Sequence, residues 1–404
     1  MARIATGLAV TAITAGFVAA QEPTPVDLSG RQIRSINENP DAQTPQARDW
    51  FRRVDVWGYV SATYLQTTHG GSRPRGSAAV DQASLFLSAE VDDNVSAFFE
   101  IQTDRFQTNQ TFDVHVGEVY ARVKHALRLD GEQWLGVKVG RFDIPFGESY
   151  LHDDSPDNPL IGTAVSHTYD VDEGILAYGK WHGIGFVGAF SDGNSDRQSS
   201  GEPSKAVTAK IYGDLLPWLY ASGSVLNSGR TDSSAIYLGG IWLDQVGAFG
   251  NSTAGQSPST GVGVTLAELD LRAGVPNRAT LVMNAGYGRL RDVEPFDRTL
   301  YWFSLEPTVA LCETLDATLR YSEIGTYSDT EGYQFSGRPF ANADSPYGYD
   351  LSRLQQLEVG LAWRPQRGTI VKGEFGFDRL QAIDTCPFAG ETRWFVALQF
   401  VVSF

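Results

Sequence analysis

Long apolar runs are what this chain conspicuously lacks. After its first twenty residues nothing approaches the roughly 18 consecutive apolar residues that a transmembrane helix needs, so the only way for it to span a bilayer is as a closed β-barrel. Cysteine is nearly absent: Cys312 and Cys386 are the only two. Neither belongs to a Cys-x-x-Cys-His arrangement, which removes covalently attached haem and an electron-conduit role built on it. No Gly-x-Ser-x-Gly turn accompanies the six histidines, so no serine-nucleophile chemistry is expected. Heptads do not recur, which excludes a coiled-coil stalk. Cations are scarce beside acids, 32 Lys and Arg against 48 Asp and Glu, a net charge of -16. That balance argues against nucleic acid as a partner.

What is present is alternation. From Val54 onward the chain is a series of period-2 segments separated by turn residues. In 94–104, Val95, Ala97, Phe99 and Ile101 form one face and Ser96, Glu100, Gln102 and Asp104 the other. In 117–127, Val119, Ala121 and Val123 oppose Glu118, Tyr120, Arg122 and Lys124. Seventeen such segments are legible: 55–66, 80–91, 95–104, 113–127, 134–141, 173–181, 183–191, 205–214, 218–227, 233–242, 262–272, 278–289, 299–311, 314–324, 353–364, 369–379 and 391–404. Links between them alternate short and long, as they do in outer-membrane barrels. Bacterial single-chain barrels carry an even number of strands, and the parity breaks between 233–242 and 262–272. The reading is therefore an all-β transmembrane antiparallel barrel of about 18 strands, with a further strand inside 243–253, and 16 strands as the fallback.

Three regions follow from this. Residues 1–20 have one early cation, Arg3, an apolar stretch and Val18-Ala19-Ala20 before Gln21, the pattern of a cleaved secretory signal. Residues 21–53 are polar and proline-rich and are expected to be a periplasmic lead-in; 54–404 is the barrel. Within the last strand, Trp394, Val396, Leu398, Phe400, Val402 and Phe404 alternate with the residues between them. This run resembles the C-terminal assembly signal of Gram-negative outer-membrane barrels, with Phe400, Val402 and Phe404 as its core, which implies the barrel assembly machinery as a partner and the outer membrane as the destination. Trp134, Trp181, Trp218 and Trp363 all fall at the same end of their strands, the placement expected of an aromatic belt at a lipid boundary. Cys312 and Cys386 lie at opposite ends of strands about 30 Å long, too far apart for a disulfide.

The most informative loop is 142–171. The run "VGRFDIPFG" (139–147) resembles the Gly-Arg-aromatic and Pro-Phe-Gly junction of phosphate-selective porins of the O/P superfamily, in which the corresponding loop folds into the barrel and narrows it. The resemblance implies an inward-folded constriction loop here. That loop contains Asp143, Glu148, Asp153, Asp154, Asp157 and Asp170 and no Lys or Arg. Facing it, Arg122, Lys124, Lys138, Lys180 and Lys210 occupy inward positions of neighbouring strands, so an acidic ledge would oppose a basic wall and bias the ions that pass. Phosphate selectivity is not expected, because inward acids such as Glu100, Glu118, Glu268, Asp270, Glu306, Asp316, Glu358, Glu374 and Asp378 match the inward bases, among them Arg272, Arg320, Arg364 and Lys372. His152 and His167 sit in the loop beside acids, but no nucleophile accompanies them. The stretch 152–158, "HDDSPDN", offers clustered oxygens to a calcium ion, and equally reads as a turn.

These features point to a passive outer-membrane channel for small hydrophilic solutes or ions, with no cofactor, no metal and no bond chemistry, surrounded by outer-membrane lipid and assembled as a homotrimer if it follows the porins it resembles. The alternatives are a solute-specific anion channel and a blocked barrel with a structural or partner-binding role.

Overall fold

The computed structural model describes residues 54–67, 75–104, 113–128, 133–152, 154–166, 171–193, 205–231, 262–275, 278–291, 298–327, 351–382 and 391–404. Sixteen strands account for nearly all of them: β1 Val54–Thr67, β2 Ser77–Glu90, β3 Val95–Asp104, β4 Asp113–Arg128, β5 Trp134–Asp143, β6 Val171–Trp181, β7 Ile184–Ser191, β8 Ala206–Leu216, β9 Leu219–Thr231, β10 Val262–Val275, β11 Ala279–Arg291, β12 Arg298–Cys312, β13 Leu315–Thr326, β14 Leu351–Gln366, β15 Thr369–Ala382 and β16 Glu391–Ser403. Each pairs with its sequence neighbours, and β16 returns to β1, so the sheet closes on itself with no free edge.

Sixteen of the seventeen legible segments are these strands. The count differs from eighteen because β9 pairs directly with β10, Val225 facing Ala267 and Gly223 facing Leu269, so neither 233–242 nor 243–253 lies between them in the wall. Both segments fall outside the described residues. An odd count can be repaired by adding a strand or by removing one, and only strand pairing shows which.

The links at the rim where β1 begins are short, such as 91–94, 182–183 and 367–368. His182 and Gly183 both have positive φ, 49° and 85°, the combination of a type I′ turn, whose twist matches the flanking strands. At 91–94 the Asp92 carboxylate accepts from the amides of Asn94 and Val95, both at 2.7 Å. The barrel is closed by β1 and β16 in register, Val60 facing Val402 and Ala62 facing Phe400. Gly58 and Phe404 exchange backbone hydrogen bonds of 2.9 and 3.1 Å.

The burial pattern is the inverse of a soluble sandwich. Outward residues such as Ile175, Ile211, Leu269, Val359 and Leu398 are exposed, while inward Glu100, Lys210, Glu358 and Lys372 are buried. An exterior of this kind is stable against hydrocarbon, and closure satisfies the backbone there. Trp181, Trp218 and Trp363 are half exposed on the outside at the β1-start rim. Trp134 departs from the expected belt: it is an inward position, buried and edge-on to Tyr178 at 5.6 Å. Side chains alternate from Leu135, which faces Leu127 on the outside, and this turns Trp134 inward.

Candidate functional site

After β5 the chain turns into the barrel. Ile144 and Phe146 are buried, and the Gly147 amide donates to Ser224 Oγ on β9 at 2.8 Å. A 3-10 turn, Ser149–His152, follows. The segment then reaches the opposite wall: Tyr59 of β1 donates to Asp154 Oδ1 at 2.8 Å, and Ser155 Oγ donates to Gln82 of β2 at 2.7 Å. On its way back the Val165 amide donates to Ser322 Oγ of β13 at 3.1 Å, and Ser166 Oγ to Asn284 of β11 at 3.4 Å. A loop that bonds to the inward faces of strands on both sides lies across the lumen.

Its tip is fastened by two cations. Lys372 of β15 donates to the carbonyls of Ser155, Asn158 and Leu160 at 2.5, 2.7 and 3.0 Å, using all three ammonium protons. Arg320 of β13 donates to Gly162 O at 2.7 Å and Asn158 Oδ1 at 3.0 Å, while its remaining contacts go to Glu306 at 2.6 Å and Glu358 at 3.2 Å. Glu374 completes the clamp by accepting from the amides of Ile161 and Gly162. Asn158 shapes the tip, donating to Gly162 O and accepting from the Leu160 amide. Backbone groups inside a barrel need partners as they do in any interior, and the wall supplies them here as charged side chains.

The loop's other contact is apolar. Ile144, Phe146 and Val165 pack with Leu226, Val264, Leu266, Leu300, Trp302 and Ile324, inward residues of β9, β10, β12 and β13. The Trp302 indole also donates to Glu268. The strands before the loop, β1 to β4, carry a second inward band, in which Trp57, Phe86, Phe98 and Tyr120 succeed one another at ring separations of 5.2 to 6.2 Å. One side of the lumen is therefore aromatic, another aliphatic, and only part of the wall is the charged lining that alternation suggests.

The expected site residues distribute as follows. Asp153 and Asp170 lie outside the described residues. Asp143, Glu148, Asp154 and Asp157 are all more than nine-tenths buried, so they meet the wall rather than open water. Of the basic wall, Lys210 meets the loop: it pairs with Glu148 at 2.9 Å, donates to Tyr150 OH at 3.1 Å and lies over the Tyr150 ring. Burial alone would raise the Glu148 carboxyl. Lys210, hydrogen bonds from Lys210 and Tyr220, and the charge of Arg272 outweigh that and hold it below the usual carboxylate range. Lys124 pairs with Glu90 at 2.6 Å, Arg122 donates to Ser96 at 3.1 Å, and Lys138 lies 4.4 Å from the centre of the Tyr120 ring. Lys180 is inward on β6, opposite Gly185. Phe400, Val402 and Phe404 face outward at the seam.

Arg320 and Lys372 are legible in the sequence as inward bases, but nothing local distinguishes them as the two that hold the loop. The calcium reading of 152–158 does not gather its oxygens: Asp154 turns to Tyr59 and Asn158 to Arg320. Among the described residues no three His, Cys, Asp or Glu side chains are placed to hold a metal ion. Cys312 is exposed and free, and Cys386 lies outside the described residues.

No protein-family model and no curated protein matches the chain. Solved structures do match in fold. The anion-selective porin from Comamonas acidovorans superposes with a TM-score of 0.58 at 13% identity, covering 87% of this chain and 99% of the porin. The outer membrane channel DcaP of Acinetobacter baumannii gives 0.57 at 13% identity, covering 87% and 97%. OmpT, an outer membrane protein of Vibrio cholerae in its trimer form, gives 0.56 at 9%, covering 86% and 98%. The chain shares with them the closed barrel of outer-membrane proteins.

Proposed function

We propose that this protein is an outer-membrane diffusion channel through which small hydrophilic solutes and ions pass down their gradients, sieved by the loop 142–171. The observation that carries this reading is the loop itself, bonded to inward side chains of β1, β2, β9, β13 and β15. A brace of this kind holds a lumen at a defined width. The names of its fold neighbours, a porin and a channel among them, support the same reading. In this proposal residues 1–20 are removed on export, 21–53 remain on the periplasmic side, and the Phe400, Val402 and Phe404 face directs barrel assembly. Trimerisation is proposed on the precedent of OmpT.

Because Glu148 is paired with Lys210, and Asp143, Asp154 and Asp157 are buried, these acids do not project charge into open water, and low ion selectivity is the expectation. Residues 142–171 are the constriction, with Glu148 against Lys210 as the point where acidic loop and basic wall meet.

The test is conductance. The purified protein in planar bilayers should open a small channel, and deletion of 150–168 should enlarge its single-channel conductance and flatten any size cut-off. The dense lumen contacts favour one competing reading, a plugged structural barrel. Silence from the intact protein together with conductance after the deletion would select that reading, and silence from both would end the channel proposal.

A further inference from the structure

Beside the loop tip, two carboxylates on neighbouring strands leave one oxygen each without a donor. Glu358 of β14 and Glu374 of β15 are 0% and 4% exposed. In each, Oε2 is occupied, by Arg320 on Glu358 and by the Ile161 and Gly162 amides on Glu374. In each, Oε1 is buried and has no hydrogen-bond partner. The two unpartnered oxygens face one small space. A Cβ added to Gly162 would lie 2.7 Å from Glu358 Oε1 and 3.1 Å from Glu374 Oε1, so the absence of a side chain on this glycine is what keeps that space open. Gln356, two residues along the same face and 2% exposed, also ends on an Oε1 without a partner.

The nearby cations are already spent. All three protons of Lys372 go to loop carbonyls, and the guanidinium of Arg320 is divided among Glu306, Glu358 Oε2, Gly162 O and Asn158. Glu306, Glu358 and Glu374 outnumber those two cations by one charge. Buried carboxylate oxygens without donors are costly, and a positive charge between them removes that cost.

We infer that Glu358, Glu374 and the open side of Gly162 form a binding site for a single alkali cation, sodium or potassium, which locks the loop tip to β14 and β15. Three carboxylates against Lys372 and Arg320 leave a deficit of one charge, which a monovalent ion offsets and a divalent ion would exceed. The site does not depend on the channel conducting: it is a property of the folded loop, read through stability.

The experiment compares thermal unfolding of the full chain in detergent in sodium, potassium and choline chloride at equal concentration and pH. At an alkali-ion concentration ten times the dissociation constant, the folded-to-unfolded ratio should rise roughly tenfold over choline, with a matching upward shift of the melting temperature. Gly162→Ala, which puts a methyl group into the space while keeping both acids, should erase the difference between salts. If that variant does not fold, Glu358→Gln should do the same by removing half of the charge. Equal melting in all three salts would overturn the inference, as would a salt response that survives in the folded variant. A stability that follows pH at every salt but is indifferent to the cation would also overturn it, and would make a shared proton the occupant.

Discussion

The loop is held at its two ends by opposite physics. At its tip, residues 155–162 are fastened by a few directional, charge-assisted bonds from Lys372, Arg320 and Glu374. At its base, Ile144, Phe146 and Val165 sit in a dry aliphatic and aromatic cluster with Trp302 at its centre. Hydrogen-bonded charge is strong only in one geometry and fails abruptly when a partner is lost. Apolar packing is non-directional and degrades in proportion to the volume removed. The tip should therefore let go abruptly when one partner is lost, and the base should loosen in proportion to the volume removed.

Removing the tip's central donor is the sharpest way to break this contrast. Lys372→Met keeps the bulk but strips three buried carbonyls of their donor, each at about 1–3 kcal/mol, so the tip should undock. Single-channel conductance should rise with frequent flicker between levels, and a quiet channel of normal size would show that the tip is held by other means. Next in size, Phe146→Ala should cost about 3–5 kcal/mol of packing without freeing the tip. Thermal stability of the folded barrel should fall while the conductance level stays close to that of the parent; a large conductance change instead would erase the distinction between tip and base.

Acid sharpens the comparison at an intermediate scale. The Glu148 carboxyl is held below the usual carboxylate range by Lys210 and its hydrogen bonds despite its burial, so its contribution is complete above the ordinary carboxylate pKa of about 4.3. That contribution is lost as pH falls through its lowered value. Under the proposed function, conductance should hold down to that range and change below it, and Glu148→Gln should not show that acid step. A transition near neutrality that Glu148→Gln removes would contradict the assignment. The smaller effects concern single contacts. Tyr59→Phe deletes one bond to Asp154 and should cost about 1 kcal/mol, seen as a slight fall in melting temperature. Neutralising Asp154 and Asp157 should move reversal potentials only modestly toward anions, because both are buried against the wall; a large shift would mean that they face the water path.

Much of the wall could be read from residue types alone. The apolar faces of β3, β4 and β16 follow from strict alternation, because a period of two leaves one side of a strand for lipid and one for the interior. The same rule suggested a strand at 233–242, and even parity a further one within 243–253, whereas β9 pairs directly with β10. It also left open which way Trp134 points, since position along a strand sets depth while register sets the side. The inward course of the loop was expected from a short junction motif. Its fastening was not legible: Lys372 and Arg320 look like any other inward base until the loop is folded against them.

Period, turn chemistry and charge balance, all local quantities, determined that this chain would form a closed antiparallel wall with a greasy exterior and a long acidic loop. The tertiary structure alone decided that the wall has sixteen strands, that Asp143, Glu148, Asp154 and Asp157 of the loop are buried against it, and that two carboxylate oxygens from different strands converge beside a glycine of the loop. Strand number and lumen contacts arise from pairings between residues far apart in the chain, 217 positions for Lys372 and Ser155 and 318 for Gln399 and Asp81, and no short-range pattern encodes where such partners meet.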